Sequence, residues 1–333
     1  MVRFYLLKED INDATAYYIS ILKDGIEKAG QDVDFVEDLS AVRKNDYVVC
    51  IVPKTFWRVL KNTRRTKTIF WFQGVTPEEV DFYDFPFIKR QLSKLRYTFL
   101  EWLILNTSVF NFFVSNTMLW HYQRKYGYKR NNWLVMPCFN QKILKSAFSN
   151  TKYQEPSFVY TGSLANWQCF EPAVQLFKEI QGKIGRASLT IYTKEKDKAI
   201  RILEKYNIDA TIKYVPYQQL SDELKHFKYG FIIREDNTVN NVATPTKMNS
   251  YLANGIIPIY TDIVGAYKEN LNCLRYAIPL SVDNTGLDKL FELESQRISG
   301  DDVYEDYKKI FYKYYNREFY VNKIAETLKG IIL

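Results

Sequence analysis

Two consecutive α/β domains, each a doubly wound parallel sheet, are what this 333-residue sequence predicts, on three observations. Short apolar runs rich in Val, Ile, Phe and Tyr alternate with helical stretches, a rhythm that calls for parallel strands joined by crossover helices. That rhythm stops in a polar connection and then starts again. The length is comfortable for two domains, each able to bury its own core.

The first half reads as strands at 2–7, 33–36, 47–52, 68–72, 109–114 and 133–136, with helices around 14–29, 87–105 and 118–126. Pro53 and Gly74 punctuate strand ends, where the ligand loops of such sheets lie. A polar connection follows Pro137-Cys138-Phe139-Asn140 and runs to Glu155-Pro156. Strands at 157–160, 188–192 and 212–215 then alternate with helices at 170–180, 196–206 and 219–226. The division is residues 1–145, 146–302 and a helical tail over 303–333.

Hydrophobic residues make up 47% and charged ones 25%, so the chain is globular rather than disordered. A net charge of +8 suits an acidic partner, whether nucleotide, phospholipid surface or nucleic acid. Cys50, Cys138, Cys169 and Cys273 form no Cys-x-x-Cys pair, so neither a zinc site nor a disulfide framework is indicated, and a reducing compartment is the default. The N-terminal apolar run is too short for a signal peptide and reads as a first strand. Residues 97–114 are interrupted by Glu101, Asn106 and Asn111 and do not make a convincing membrane span.

The most informative stretch is 229–264. An apolar β run, Phe231–Ile233, leads through a polar loop to a short helix opening at Thr244-Pro245, with Thr as N-cap and Pro at the first helical position. Gly255 suits its C-terminal end, and a β run, Ile256–Tyr260, follows. Lys247 then falls in the first helical turn, where the positive end of the helix dipole disfavours a cation. A bound phosphate would resolve the conflict.

Several stretches in order along the chain resemble the GT-B glycosyltransferases, two Rossmann-like domains facing a cleft, and within them glycosyltransferase family 4 of polysaccharide biosynthesis. They are Trp-Phe-Gln-Gly-Val-Thr-Pro-Glu-Glu (71–79), Phe-Val-Ser (113–115) with Met118, Met-Pro-Cys-Phe-Asn (136–140), Phe-Val-Tyr-Thr-Gly-Ser-Leu-Ala-Asn-Trp-Gln (158–168), and Arg234 through Gly255 with its Arg-Glu, Val-Asn, Pro-x-Lys and Tyr-Leu-Ala-x-Gly. The resemblance covers most of residues 1–275. It implies an acceptor-side first domain, a donor-binding second domain and transfer of a sugar from a nucleotide-sugar to a glycan with retention; no cofactor is expected, and no metal, since the sequence has no credible carboxylate metal cluster. The implied acceptor is lipid-linked and the implied location cytoplasmic, at the inner face of the membrane. One departure is the Glu-x7-Glu pair of the larger family, whose positions here are Val242 and Ser250.

Arg234, at a strand end, and Lys247 are the candidates to stabilise the leaving diphosphate, because transfer makes it a leaving group whose charge must be met. Gly162 and Ser163 permit close backbone approach to a phosphate or sugar, although a lone Gly after a strand is often just a turn. Asn240, Asn241, Thr246 and Ser250 complete the donor-side candidates, and Gln73 matches a position that related enzymes keep polar against the donor sugar. On a helix from Pro245, Lys247, Ser250 and Asn254 share one side and Met248, Tyr251 and Leu252 another, so Ser250 is expected to face the ligand.

Thr76-Pro77-Glu78-Glu79 reads as an N-cap with acids in the first turn, so Glu78 and Glu79 fit a structural role better than catalysis. His121 and His226 sit among aromatic residues in helical patterns and read as structural. Asp32-x-Asp34 superficially matches a metal motif of another fold and reads better as polar edge patterning. The helix over 87–105 carries Lys89, Arg90, Lys94 and Arg96 beside a hydrophobic side, a composition that suits either an anionic membrane surface or a solvated basic face. The competing functions are a non-catalytic binding protein of the same fold, which the missing Glu pair suggests, and nucleic-acid binding, which no motif supports.

Overall fold

The computed structural model describes residues 1–11, 13–62 and 67–332. These form two compact units, one of residues 1–140, 241–244 and 316–333, the other of residues 141–240 and 245–315. In the first unit the elements are β1 (Val2–Tyr5), α1 (Asp13–Lys28), β2 (Val33–Val36), β3 (Tyr47–Cys50), α2 (Pro53–Asn62), β4 (Lys67–Phe72), α3 (Thr76–Glu79), α4 (Phe87–Thr107), β5 (Phe110–Phe113), α5 (Asn116–Tyr126) and β6 (Trp133–Val135). Its six parallel strands run in the order β2-β1-β3-β4-β5-β6. The order reverses between β1 and β3, and such a switch point leaves a crevice at the carboxyl ends of the strands.

The second unit begins its sheet with β7 (Ser157–Thr161), α6 (Phe170–Lys183), β8 (Ser188–Tyr192), α7 (Lys196–Lys205), β9 (Thr211–Lys213), α8 (Tyr217–Leu224) and β10 (Tyr229–Ile232). After α9 (Thr238–Val242), whose last two residues fall in the first unit, it continues through α10 (Thr246–Ala253), β11 (Ile257–Thr261), α11 (Gly265–Asn270), β12 (Ile278–Leu280), α12 (Asp288–Ser295) and α13 (Gly300–Lys313). The order β12-β11-β10-β7-β8-β9, again all parallel, puts this switch point between β7 and β10. Both sheets carry the near-continuous apolar strands that burial on two faces requires.

The helical tail is two helices belonging to different units. In α13, Tyr307 is fully buried and its hydroxyl donates to the carbonyl oxygens of Ile256 (3.1 Å) and Tyr276 (2.5 Å). The last helix, α14 (Arg317–Ile332), packs on α1 in the first unit. A glycine permits that approach, since a Cβ on Gly25 would lie 2.6 Å from Ile324 Cβ. Arg317 pairs with Asp24 at 2.5 Å, and Tyr47 Oη donates to the Ile331 carbonyl at 2.9 Å.

Two helix starts differ from the sequence expectation. The N-cap of α10 is Pro245, and Thr244 Oγ1 instead accepts from the Cys138 amide at 3.0 Å. The N-cap of α3 is Val75 rather than Thr76, and the free amides of Val75 and Thr76 are met by the carboxylates of Glu79 and Glu101, both at 3.1 Å. At α3 two acids do the work that a threonine cap was expected to do, whereas at α10 the Cys138 amide occupies the threonine oxygen and no side chain caps the helix. At the other end of α10, Gly255 takes the left-handed conformation (φ 68°) that suits a helix stop.

Candidate functional site

The second unit's switch point assembles a cationic site. Arg234 follows β10, and Gly162 and Ser163 follow β7, so the two flank the crevice between those strands. The Arg234 backbone is locked to the end of β11, where Thr261 Oγ1 accepts its N–H at 2.6 Å and donates to its carbonyl at 2.9 Å. Its side chain is 5% exposed, with Nη1 donating to the Trp167 carbonyl and Nη2 to Gln168 Oε1, each at 2.8 Å. Lys247, in the first turn of α10, donates to the same Gln168 oxygen at 3.1 Å, with its ammonium 4.3 Å from the centre of the Tyr160 ring.

Two cations therefore share one neutral acceptor. Neither makes an ion pair with a carboxylate among the described residues. Burial and then the adjoining Arg234 charge push Lys247 well below the usual lysine range, and burial lowers Arg234 as well. An arriving anion would offset both effects. Tyr160 and Gln168 partly answer the helix-start conflict, and a ligand charge would complete the answer.

The loop over this pair is held by its backbone and left open by its glycine. Leu164 is clamped at both ends, its N–H to Glu195 Oε2 and its carbonyl to Lys198 Nζ, each at 2.6 Å. Gly162 is exposed, with φ 117°, and a Cβ there would lie 3.6 Å from Lys247 Nζ, over the ammonium. Thr246 is half-buried at the start of α10. Asn240 is buried, and its Nδ2 donates to the Glu235 carbonyl at 2.9 Å, so it shapes the loop after β10. Gln168 and Tyr160 are the contributors that sequence reasoning missed; Gln168 ended a noticed stretch but carried no signal of its own.

Ser250 does not lie on a wet side of α10. Every residue from Met248 to Asn254 is buried, with Ser250 at 6% and Asn249 and Asn254 at 0% exposure, so the expected division into a ligand side and a core side is absent. The helix packs on β10 and β11 closely enough that a Cβ on Gly230 would lie 2.5 Å from the Tyr251 ring.

Gln73 and Asn241 belong to the first unit. Gln73 follows β4 and lines a cavity of ≈ 480 Å³; Tyr18 Oη donates to its Oε1 at 3.4 Å, and its Nε2 is buried with no hydrogen-bond partner among the described residues. The turn it belongs to is fixed from below. Tyr122 donates to the Gly74 carbonyl at 3.2 Å and to Glu101 Oε1 at 2.9 Å, while Tyr126 donates to Glu101 Oε2 at 2.7 Å. Glu78 is held down to about 2: burial opposes this, and the His121 and Lys125 contacts outweigh it. Glu101, fully buried, is pushed up to about 7 by burial in spite of Lys125.

That shift has a sign. A carboxyl raised in the folded state holds its proton longer than in the unfolded chain, so its contribution to stability falls as pH rises from about 4.5 to about 7. Glu101→Gln is expected to flatten this part of the stability-pH curve in urea titrations. A curve unchanged in slope would show that Glu101 does not titrate in that window.

No known protein family and no curated protein matches this sequence. Solved structures do match in fold. A mutant of S. aureus TarM in complex with fondaparinux, α-GlcNAc-glycerol and UDP is 13% identical with a TM-score of 0.61, covering 87% of this chain and 55% of its own. This chain thus spans about half the length of TarM. WaaG, a glycosyltransferase involved in lipopolysaccharide biosynthesis, is 12% identical with a TM-score of 0.62, covering 97% and 99%. The E. coli trehalose-6-phosphate protein bound with UDP-2-fluoro glucose is 10% identical with a TM-score of 0.60, covering 99% and 81%. The fold is that of the GT-B glycosyltransferases, with two Rossmann-like α/β units.

Proposed function

We propose that the protein is a glycosyltransferase of the family 4 type that moves a sugar from a nucleoside-diphosphate donor to a glycan acceptor of a surface polysaccharide, with retention and without a metal or cofactor. The observation that carries this reading is the pair Arg234 and Lys247, sharing Gln168 Oε1 at the switch point, beneath an open glycine loop and without a carboxylate partner among the described residues. As the glycosidic bond to the diphosphate breaks, negative charge grows on the leaving oxygen, and two fixed cations in a partly water-excluded site stabilise it. The leaving phosphate itself can take the acceptor proton, so no enzymic base is required. Purified protein should hydrolyse or transfer from at least one nucleotide-sugar of a panel with EDTA present. Binding without turnover of any donor would favour a non-catalytic binding protein, the reading suggested by the absent Glu pair. Binding abolished by EDTA would end the metal-free reading.

The lipid-linked acceptor and a place at the cytoplasmic face of the membrane are part of the same proposal, supported by α4. No helix among the described residues is long and apolar enough to cross a membrane. On α4, however, Phe87, Ile88, Leu92 and Leu95 are 63–73% exposed, with Phe99 and Trp102 continuing the stripe. Of the four expected cations, Lys89 and Arg96 are exposed, Lys94 is paired with Asp81 at 2.7 Å, and Arg90 donates to the Phe85 carbonyl at 3.3 Å. Such a stripe flanked by the exposed cations Lys89, whose ammonium lies 4.2 Å from the centre of the Phe85 ring, and Arg96 suits the interface of an anionic bilayer. Leu92→Asp with Leu95→Asp is expected to abolish cosedimentation with anionic liposomes at an unchanged melting temperature. Cosedimentation equal to the parent's would remove the assignment.

A further inference from the structure

Apart from Gln73, which the resemblance sets against the donor sugar, the cavity in the first unit has a composition that the donor chemistry does not use. It lies at the switch point between β1 and β3, bounded by Leu7 and Ile51 just beyond those strands and by Gln73 beyond β4. Its volume of ≈ 480 Å³ falls within the usual range for small-molecule sites, about 300–1,000 Å³. On one wall Lys54 and Arg58 stand four residues apart on α2, both exposed, and neither side chain has an ion pair or hydrogen bond among the described residues. Like charges at this spacing repel, so their pairing favours an anion between them.

The other wall is built for neutral polar groups. Asp10 and Glu79 each commit an oxygen to a loop amide, that of Leu7 and that of Val75, both at 3.1 Å. Their remaining oxygens are acceptors suited to hydroxyl donors. Beside them the buried Gln73 Nε2 has no hydrogen-bond partner among the described residues, a costly state that a ligand oxygen would relieve. An apolar ligand satisfies none of these groups, and a bare anion satisfies only one wall. A sugar ring with an acidic substituent satisfies both.

We propose that this cavity binds the acceptor and selects a saccharide unit bearing a phosphate or carboxylate, with Lys54 and Arg58 taking the charge and Gln73, Asp10 and Glu79 the hydroxyls. Its assignment to the acceptor rests on the transferase reading of the second unit. The binding itself is measured without a donor.

The test is calorimetric titration of the full chain with glucose 6-phosphate, glucuronate, glucose, glucosamine and inorganic phosphate. The parent and the variants Lys54→Ala/Arg58→Ala, Gln73→Ala and Lys247→Ala are compared. At least one anionic sugar should bind about tenfold or more tightly than glucose, and the double variant should lose roughly 10- to 100-fold, as removal of charge-assisted hydrogen bonds does. Gln73→Ala should weaken neutral-wall binding, and Lys247→Ala should leave sugar binding unchanged. Because Lys54 and Arg58 are exposed, the double variant is expected to keep its melting temperature. Anionic and neutral sugars binding alike, inorganic phosphate binding as tightly as the sugar phosphate, no sugar binding at all, or a loss caused by Lys247→Ala instead of the double variant would each overturn the proposal. A parallel titration with nucleoside diphosphate separates the readings. Its failure with sugar binding intact removes the transferase assignment and the acceptor role, leaving the cavity as a sugar-acid site.

Discussion

Lys247→Met is expected to weaken nucleoside diphosphate binding by about 10- to 100-fold while leaving the bare nucleoside nearly unaffected, because a hydrogen bond to a charged group is worth about 1.5–3 kcal/mol. Arg234→Ala should do at least as much. The two differ in the unliganded protein. Arg234 ties Trp167 and Gln168 together, and because Lys247 still reaches the Gln168 oxygen, its loss leaves the Trp167 carbonyl without that donor and lowers the melting temperature. Lys247 stands beside Arg234 at a helix start, both of which disfavour it, so Lys247→Met should hold or raise the unliganded melting temperature while the ligand-induced shift shrinks. Thermal shifts with nucleoside and nucleoside diphosphate, measured side by side, decide the matter. Equal weakening of both ligands would remove Lys247 from the diphosphate site.

Ser250→Glu is expected to be among the most damaging single changes in the second unit. The side chain lies in the stretch of α10 from Met248 on that is buried at every residue, between Asn249 and Tyr251, each 0% exposed. A carboxyl there must either stay charged without solvent or take up a proton, and either costs several kcal/mol, on the order of 10 °C in melting temperature for a unit of this size. Ser250→Ala, which removes a hydroxyl and adds no charge, should cost about 1 kcal/mol or less. A stable Ser250→Glu protein with tighter nucleotide binding would overturn this and restore the ligand-facing position that helix periodicity predicts.

Much of the architecture was legible because strands and helices in parallel sheets announce themselves locally. The run 229–232 is buried throughout, since both faces of the strand are covered, and the ends of 188–192 and 229–232 lie within two residues of expectation. Arg234 and Lys247 were also legible, one from its place after a strand and the other from a cation in a first helical turn. The helix caps were less so. Thr244 and Thr76 have the residue type of a cap, yet Cys138 and Glu101, respectively 106 and 25 residues away from the groups they meet, decide what happens there.

By itself the sequence determined the two α/β sheets and most of their elements, though not α2, α11, β12 or α12, together with the cationic strand-loop-helix unit and the basic aromatic helix, because each depends on patterns within one turn, one strand or one short loop. Tertiary structure alone decided that the tail divides between the units, that Gln168 joins the two cations, that α10 has no wet side, and that the apolar side of α4 is left uncovered. The physical reason is the same throughout. Periodicity says that a face is apolar or a group charged, whereas burial and hydrogen bonding depend on which distant residues the fold brings within a few ångströms of it.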